Sequence, residues 1–251
     1  MADQLALPHD PAADHLPTLP ALRPMLAYPL PEPFDSVDHL FEPWWGGERA
    51  LLAVGPGETP GSGDVRVIDA DGHDRTAALR ELAGTGVRVA ARSALFDGEI
   101  VVVDAEGRAD ADALRDRLAG KPGRPVAFLA FDLLDLDGRS LLGQPLVRRR
   151  EALRRILRPA DEVVAVPAIA TEGMALFEAI VAQGLAGMMA RQRRGPYLPG
   201  VRSRLWRFIP ARAGDVAAAD LAAAPAGPAS GTGATAPVLA LLSRLPLDLG
   251  S

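Results

Sequence analysis

Glu42 and Arg49 flank the turn Trp44-Trp45-Gly46-Gly47, between the apolar runs that end at Phe41 and begin at Ala50. Such a turn could carry one reactive side chain over a pocket, because glycine lets the backbone approach a ligand closely. The tip offers no nucleophile, base or charge, so the same letters also read as an aromatic-anchored β-turn. Glu99, in Asp97-Gly98-Glu99, and Phe131, within Val126 to Leu134, are further candidates for a binding wall. Each has a plainer reading. Glu99 can close a strand with a solvent-facing carboxylate. Phe131 is the aromatic that any buried strand needs, and Arg49 can simply be exposed. Trp44 and Trp45 suit stacking on a base, but the expectation is that they fill the space a nucleotide needs.

A second chemical region is cationic. Arg191, Arg193, Arg194, Arg202, Arg204 and Arg207 interleave with Tyr197 and Trp206, a composition that suits a phosphate backbone. The net charge of -5 tips the balance slightly toward a solvated loop. The arginines Arg148, Arg149, Arg150, Arg154 and Arg155 read as the solvated face of an amphipathic helix with Leu153, Ile156 and Leu157 inside.

Some chemistries are excluded. There is no cysteine, hence no disulfide, thiolate metal site or thiol nucleophile. His9, His15, His39 and His73 lie far apart and suggest no metal site. Of 27 basic residues only Lys121 is a lysine, and arginine cannot act as an amine nucleophile because it stays protonated. No apolar run reaches membrane-spanning length and no signal peptide opens the chain, so a cytoplasmic protein is expected.

Strands are expected at the residues flanking the glycine turn and at 64–68, 87–91, 100–103, 126–134, 163–166, 187–191 and 206–209. Helices are expected at 76–82, 111–118, 147–157 and 174–183. The run 126–134 is nearly continuous in apolar residues and should be central, buried on both faces. Residues 1–20 and 211–251 are too rich in Ala, Pro, Gly and Asp to pack, and Val238 to Leu249 is a short apolar stretch within the second. The fold class is therefore α+β, one domain over about 21–210 with disordered ends.

Taken in order, several segments resemble the adenylation (nucleotidyltransferase) domain of ATP-dependent DNA ligases, especially the small bacterial repair type. Glu42 to Arg49 is similar to E-x-K-x-D-G-x-R, and Ala70 to Thr76 to S-R-N-G-x-D-x-T. Asp97-Gly98-Glu99 and Phe131-Asp132-Leu133-Leu134-Asp135 match two further motifs. Gly184 to Arg191 resembles G-L-E-G-V-V-A-K, and Pro196 to Trp206 resembles P-Y-x-P-G-x-R-S-x-x-W. The resemblance implies mixed and antiparallel sheets flanked by helices, ATP and magnesium as cofactors, and DNA as partner through 191–207. It places Glu42 beside an adenine, Arg49 beside the ribose and phosphate, Glu99 at the ribose hydroxyls and Phe131 on the base.

The departures concentrate on the phosphate chemistry. Trp44 holds the position of the nucleophilic lysine, Gly46 that of an aspartate and Ala70 that of an arginine. Ala186 replaces a metal-associated glutamate, Arg191 a lysine, and Phe208 and Pro210 two phosphate-binding lysines. No oligonucleotide-binding (OB) barrel is expected after Pro210. These features imply a ligase-like protein of DNA repair and recombination that binds DNA or nucleotide without self-adenylation. The rivals are an active minimal ligase and a scaffold recruiting a repair partner.

Overall fold

The computed structural model describes residues 22–105 and 107–211. The expectations for 1–20, for the barrel-free tail and for His9 and His15 fall outside these residues. Eleven strands are described: β1 (Leu26–Pro29), β2 (Ser36–Trp44), β3 (Glu48–Val54), β4 (Val65–Asp69), β5 (Ala94–Val101), β6 (Ala127–Leu136), β7 (Arg139–Ser140), β8 (Val163–Ala165), β9 (Ile169–Thr171), β10 (Gly187–Gln192) and β11 (Arg202–Pro210). The helices are α1 (Ala111–Leu118), α2 (Leu146–Ile156) and α3 (Gly173–Ala182), with a 3-10 helix at Arg80–Arg88.

The strands form two sheets. One runs β1-β11-β10-β2-β9; the other runs β4-β3-β5-β6-β7, with β8 parallel to β6. The fold class is α+β, with mixed and antiparallel sheets. Alternation along β3 explains the layering. Leu51 and Ala53 join a core with Phe41, Met189 and Trp206 of the first sheet. Ala50, Leu52 and Val54 join a second core with Leu82, Leu114, Leu153 and Ile156 of the helices. β6 is thereby buried on both faces along almost its whole length, as its composition requires.

Two local expectations are corrected. The segment 87–91 is not a strand: the 3-10 helix runs to Arg88, and only Val89 makes an isolated bridge, to Leu157. The strand expected at 100–103 begins earlier, at Ala94, so that Asp97-Gly98-Glu99 is the middle of β5 and not the link before it. Gly98 makes this possible, because a Cβ there would lie 2.4 Å from the Phe128 ring and 2.6 Å from the Leu129 carbonyl. Between β5 and β6 the register steps from Gly98↔Ala130 to Asp97↔Asp132. Phe131 is thus the extra residue of a β-bulge, a device that re-aims a side chain.

Candidate functional site

The turn between β2 and β3 brings the site together. Gly46 has φ +84°, a left-handed value that glycine adopts without strain. The Trp45 backbone N–H donates to Glu99 Oε1 at 3.0 Å. Register then sets Arg49 opposite Glu99, and Glu42 opposite Met189, two residues from Arg191. Phe131 enters from the bulge of β6, and Trp206, on β11, lies opposite Arg191.

The side chains close on one another. Glu42 is 1% exposed and accepts from two guanidiniums: Arg150 Nη1 at 2.7 Å on Oε1 and Arg191 Nη1 at 2.6 Å on Oε2. The Arg191 guanidinium lies 3.9 Å from the Phe131 ring centroid and 4.5 Å from that of Trp206. Arg49 reaches the same two rings at 4.6 and 5.2 Å. It donates to Asp97 through Nε (2.6 Å) and Nη2 (2.5 Å). Tyr197 completes this second pair: its hydroxyl donates to Asp97 Oδ2 at 2.7 Å and accepts from the Met25 N–H at 2.9 Å. Phe131 is left 3% exposed.

Burial and charge set the protonation states. Burial pushes the Glu99 carboxyl up to about 8, against the Trp45 N–H, Arg49 and Arg191, which favour its ionised form. Its Oε2 has no partner, and the Nε atoms of Arg150 and Arg191 are likewise unpartnered. Burial also lowers the pKa of Arg191, opposed by Glu42 and aided by Arg49 and Arg150. For Arg49 burial acts downward, but Asp97 and its hydrogen bonds win and the pKa rises.

The four expected cofactor-binding residues, Glu42, Arg49, Glu99 and Phe131, are thus brought together, but facing protein groups. Glu99 is not at a solvent-facing strand end and Arg49 is not exposed. Trp45 is buried, while Trp44 is half-buried with its ring edge-to-face against Phe208 at 6.1 Å. The Phe131 ring is faced by the guanidiniums of Arg191 and Arg49. Arg191 is 1% exposed, so its guanidinium is not on the surface; β10 turns it inward beside Glu42. Arg193 and Arg194 lie on the following turn, and Arg202 and Arg204 on β11, all half-buried or exposed.

The reading of α2 as solvated along all its arginines is corrected too. Arg149 and Arg150 are buried; Arg149 makes a two-pronged pair with Asp132, both contacts at 2.8 Å. The signal was present in the spacing: 146, 149, 150, 153 and 156 trace one helical stripe, and the two arginines fall inside it. Arg150, paired with Glu42, and Asp97, paired with Arg49, are the neighbours that sequence reasoning missed.

Residues 24–208 match the family model described as the ATP dependent DNA ligase domain. The chain belongs to that family. This ligase domain is 33% identical over 208 residues to DNA ligase C1 of Mycolicibacterium smegmatis, covering 74% of the chain and 56% of the relative. It is 32% identical over 166 residues to the multifunctional non-homologous end joining DNA repair protein LigD of Mycobacterium tuberculosis, covering 66% of the chain and 21% of LigD. The chain therefore spans about half the length of the first and a fifth of the second. Its backbone is similar to a solved mycobacterial DNA ligase D complexed with ATP and MES: TM-score 0.63, 29% identity, 76% of this chain and 60% of that one.

At the positions where the family motifs carry groups for the phosphates and metal, the residues present offer none. A Cβ on Gly46 would lie 3.0 Å from the Ala186 Cβ. The two positions that carry carboxylates in the family motifs are therefore neighbours, and neither supplies a ligand atom. Phe208 and Pro210 supply no cation. Among the described residues, Asp69, Asp71 and His73 bring ligand atoms within 4.8 Å of one another, but Asp69 already accepts from Arg75 Nε at 2.8 Å and from backbone N–H groups. No described helix is long and apolar enough to cross a membrane.

Proposed function

We propose that this ligase domain does not adenylate itself and serves as a DNA-binding accessory module in which the former nucleoside pocket has become a structural ion-pair core. One observation carries the reading. Arg191 lies over Phe131 at 3.9 Å and is paired with Glu42 at 2.6 Å. A planar cation thus lies on the ring where the family resemblance sets a planar base. Arg49 approaches the same ring, and its two nearest acceptors belong to Asp97.

The chemistry supports the same conclusion. Lys121 is the sole lysine, is exposed and pairs with Asp116 at 2.7 Å, beyond the end of α1. Loss of one transition-state charge contact costs about 3 kcal/mol, and the positions of 186, 208 and 210 each lack one. DNA contact is assigned to Arg193, Arg194, Arg202 and Arg204. Two of these also brace the fold, Arg193 on the Val37 carbonyl and Arg202 on that of Ala27.

The test is incubation of the full chain with α-labelled ATP and magnesium, followed by denaturing electrophoresis. No labelled band is expected. A stoichiometric band that disappears in Lys121→Arg would restore the active-ligase reading.

A further inference from the structure

The three helices face water differently. In α1 the exposed positions are Asp112, Arg115 and Asp116; in α2 they are Arg148, Glu151, Arg154 and Arg155. All are charged, as a solvated helix face should be. In α3 the exposed positions are Met174, Ala175, Glu178, Val181 and Ala182. Four of these five are apolar, with Met174 at 45% and Val181 at 48% exposure. Leu176 and Ile180 already serve the core from the other side, so α3 is apolar nearly all round. A helix of that kind belongs inside a structure, not at its boundary with water. The patch extends toward β2: the Met174 N–H is capped by Asp35 at 2.9 Å, and Val37, two residues on, is 69% exposed.

The chain itself supplies a candidate cover. The described residues end at Ala211, whose N–H donates to the Ala186 carbonyl at 3.0 Å. Ala186 lies just beyond the C-terminal end of α3, so the last described residue lies near that end of the helix. Beyond it, residues 212–237 are a roughly 26-residue stretch of mostly Ala, Gly, Pro and Asp. Fully extended, a chain of that length reaches up to about 85 Å, several times the ~15 Å length of a ten-residue helix. Then come Val238, Leu241, Leu242 and Leu245, spaced as one helical face, with Arg244 beside them and Pro246 after them. The one charge on the exposed face of α3 is Glu178, and the one cation in 238–249 is Arg244.

We propose that residues 238–249 dock on the outer face of α3, with the leucines over Met174 and Val181 and Arg244 toward Glu178. The segment belongs to the same chain, so its docking is intramolecular and a modest apolar contact suffices to hold it.

The absence of native cysteine permits a direct test in the full chain. Val181→Cys is combined in turn with Leu241→Cys and Leu242→Cys. Val87→Cys, 69% exposed against 48% for Val181 and on the 3-10 helix against the other sheet, is the control anchor. Under dilute oxidation, at least one Val181→Cys pair should form an intramolecular disulfide at least tenfold faster than the matching Val87→Cys pair. Equal rates for both anchors would overturn the proposal. So would predominant disulfide dimers, which would assign the α3 face to a second copy of the chain.

Discussion

Replacing Glu42 by Gln removes one negative charge from between two buried arginines while keeping the shape. Arg150 and Arg191 both rely on Glu42 for their carboxylate contact, and both are at most 2% exposed. Arg150 retains the Phe131 and Val166 carbonyls; Arg191 keeps its aromatic faces and, at best, the neutral glutamine oxygen in place of the carboxylate. Removing one partner of a buried pair leaves an uncompensated charge and costs about 3 to 5 kcal/mol. For a domain of this size each kcal/mol lowers the Tm by about 2 to 4 °C, so a drop of about 6 to 20 °C is expected. Urea unfolding followed by circular dichroism reads the loss as a shift in midpoint at constant slope. Lys121→Ala provides the contrast, because the Lys121–Asp116 pair is 63% and 56% exposed and such pairs are worth about 0 to 1 kcal/mol. Equal losses in the two variants would refute the idea that the pocket is an ion-pair core.

Glu99 sets a pH dependence. Its folded pKa, about 8 against an ordinary 4.5, makes the unfolded chain release the proton first, so stability falls as pH rises from about 5 to 8. Glu48, pushed up to about 7 by burial and by Asp69 and Asp71, adds to the fall over the lower part of that range. Glu99→Gln should flatten the profile and be more stable than wild type at pH 8; an unchanged slope across urea midpoints at pH 5 to 9 would assign it elsewhere. Tyr197→Phe deletes the hydroxyl joining Met25 to Asp97 and should cost about 1 to 3 kcal/mol, read by the same unfolding; no loss would mean that the bridge is dispensable. Arg193→Glu with Arg194→Glu should weaken binding to nicked duplex and reduce its dependence on salt, while an unchanged affinity would put any DNA site elsewhere.

The fold was legible because its signals are local and repeated. The glycine turn marked the start of β3, alternation fixed β4 and the apolar run fixed β6; at α1 the structure adds the cap, Asp110 accepting from the Ala113 N–H at 2.9 Å. The segment 87–91 was misread because Val87, Val89 and Ala91 alternate like a strand, although the chain there is a 3-10 helix capped at Val89. The pocket was legible as a set of residues, since motif order brought Glu42, Arg49, Glu99 and Phe131 together. Its filling was not. Which guanidinium meets which carboxylate depends on register between strands far apart in sequence, such as Glu42↔Met189, and on the bulge at Phe131. The tryptophans drew attention for their size; the arginines lie on the ring.

Calorimetric titration of ATP into the wild-type chain, in magnesium at neutral pH, tests the filled pocket most directly. With Arg191 held between Phe131 and Glu42, no binding tighter than about millimolar is expected, since the nucleoside would have to displace a buried ion pair. Saturable binding in the micromolar range would contradict the account.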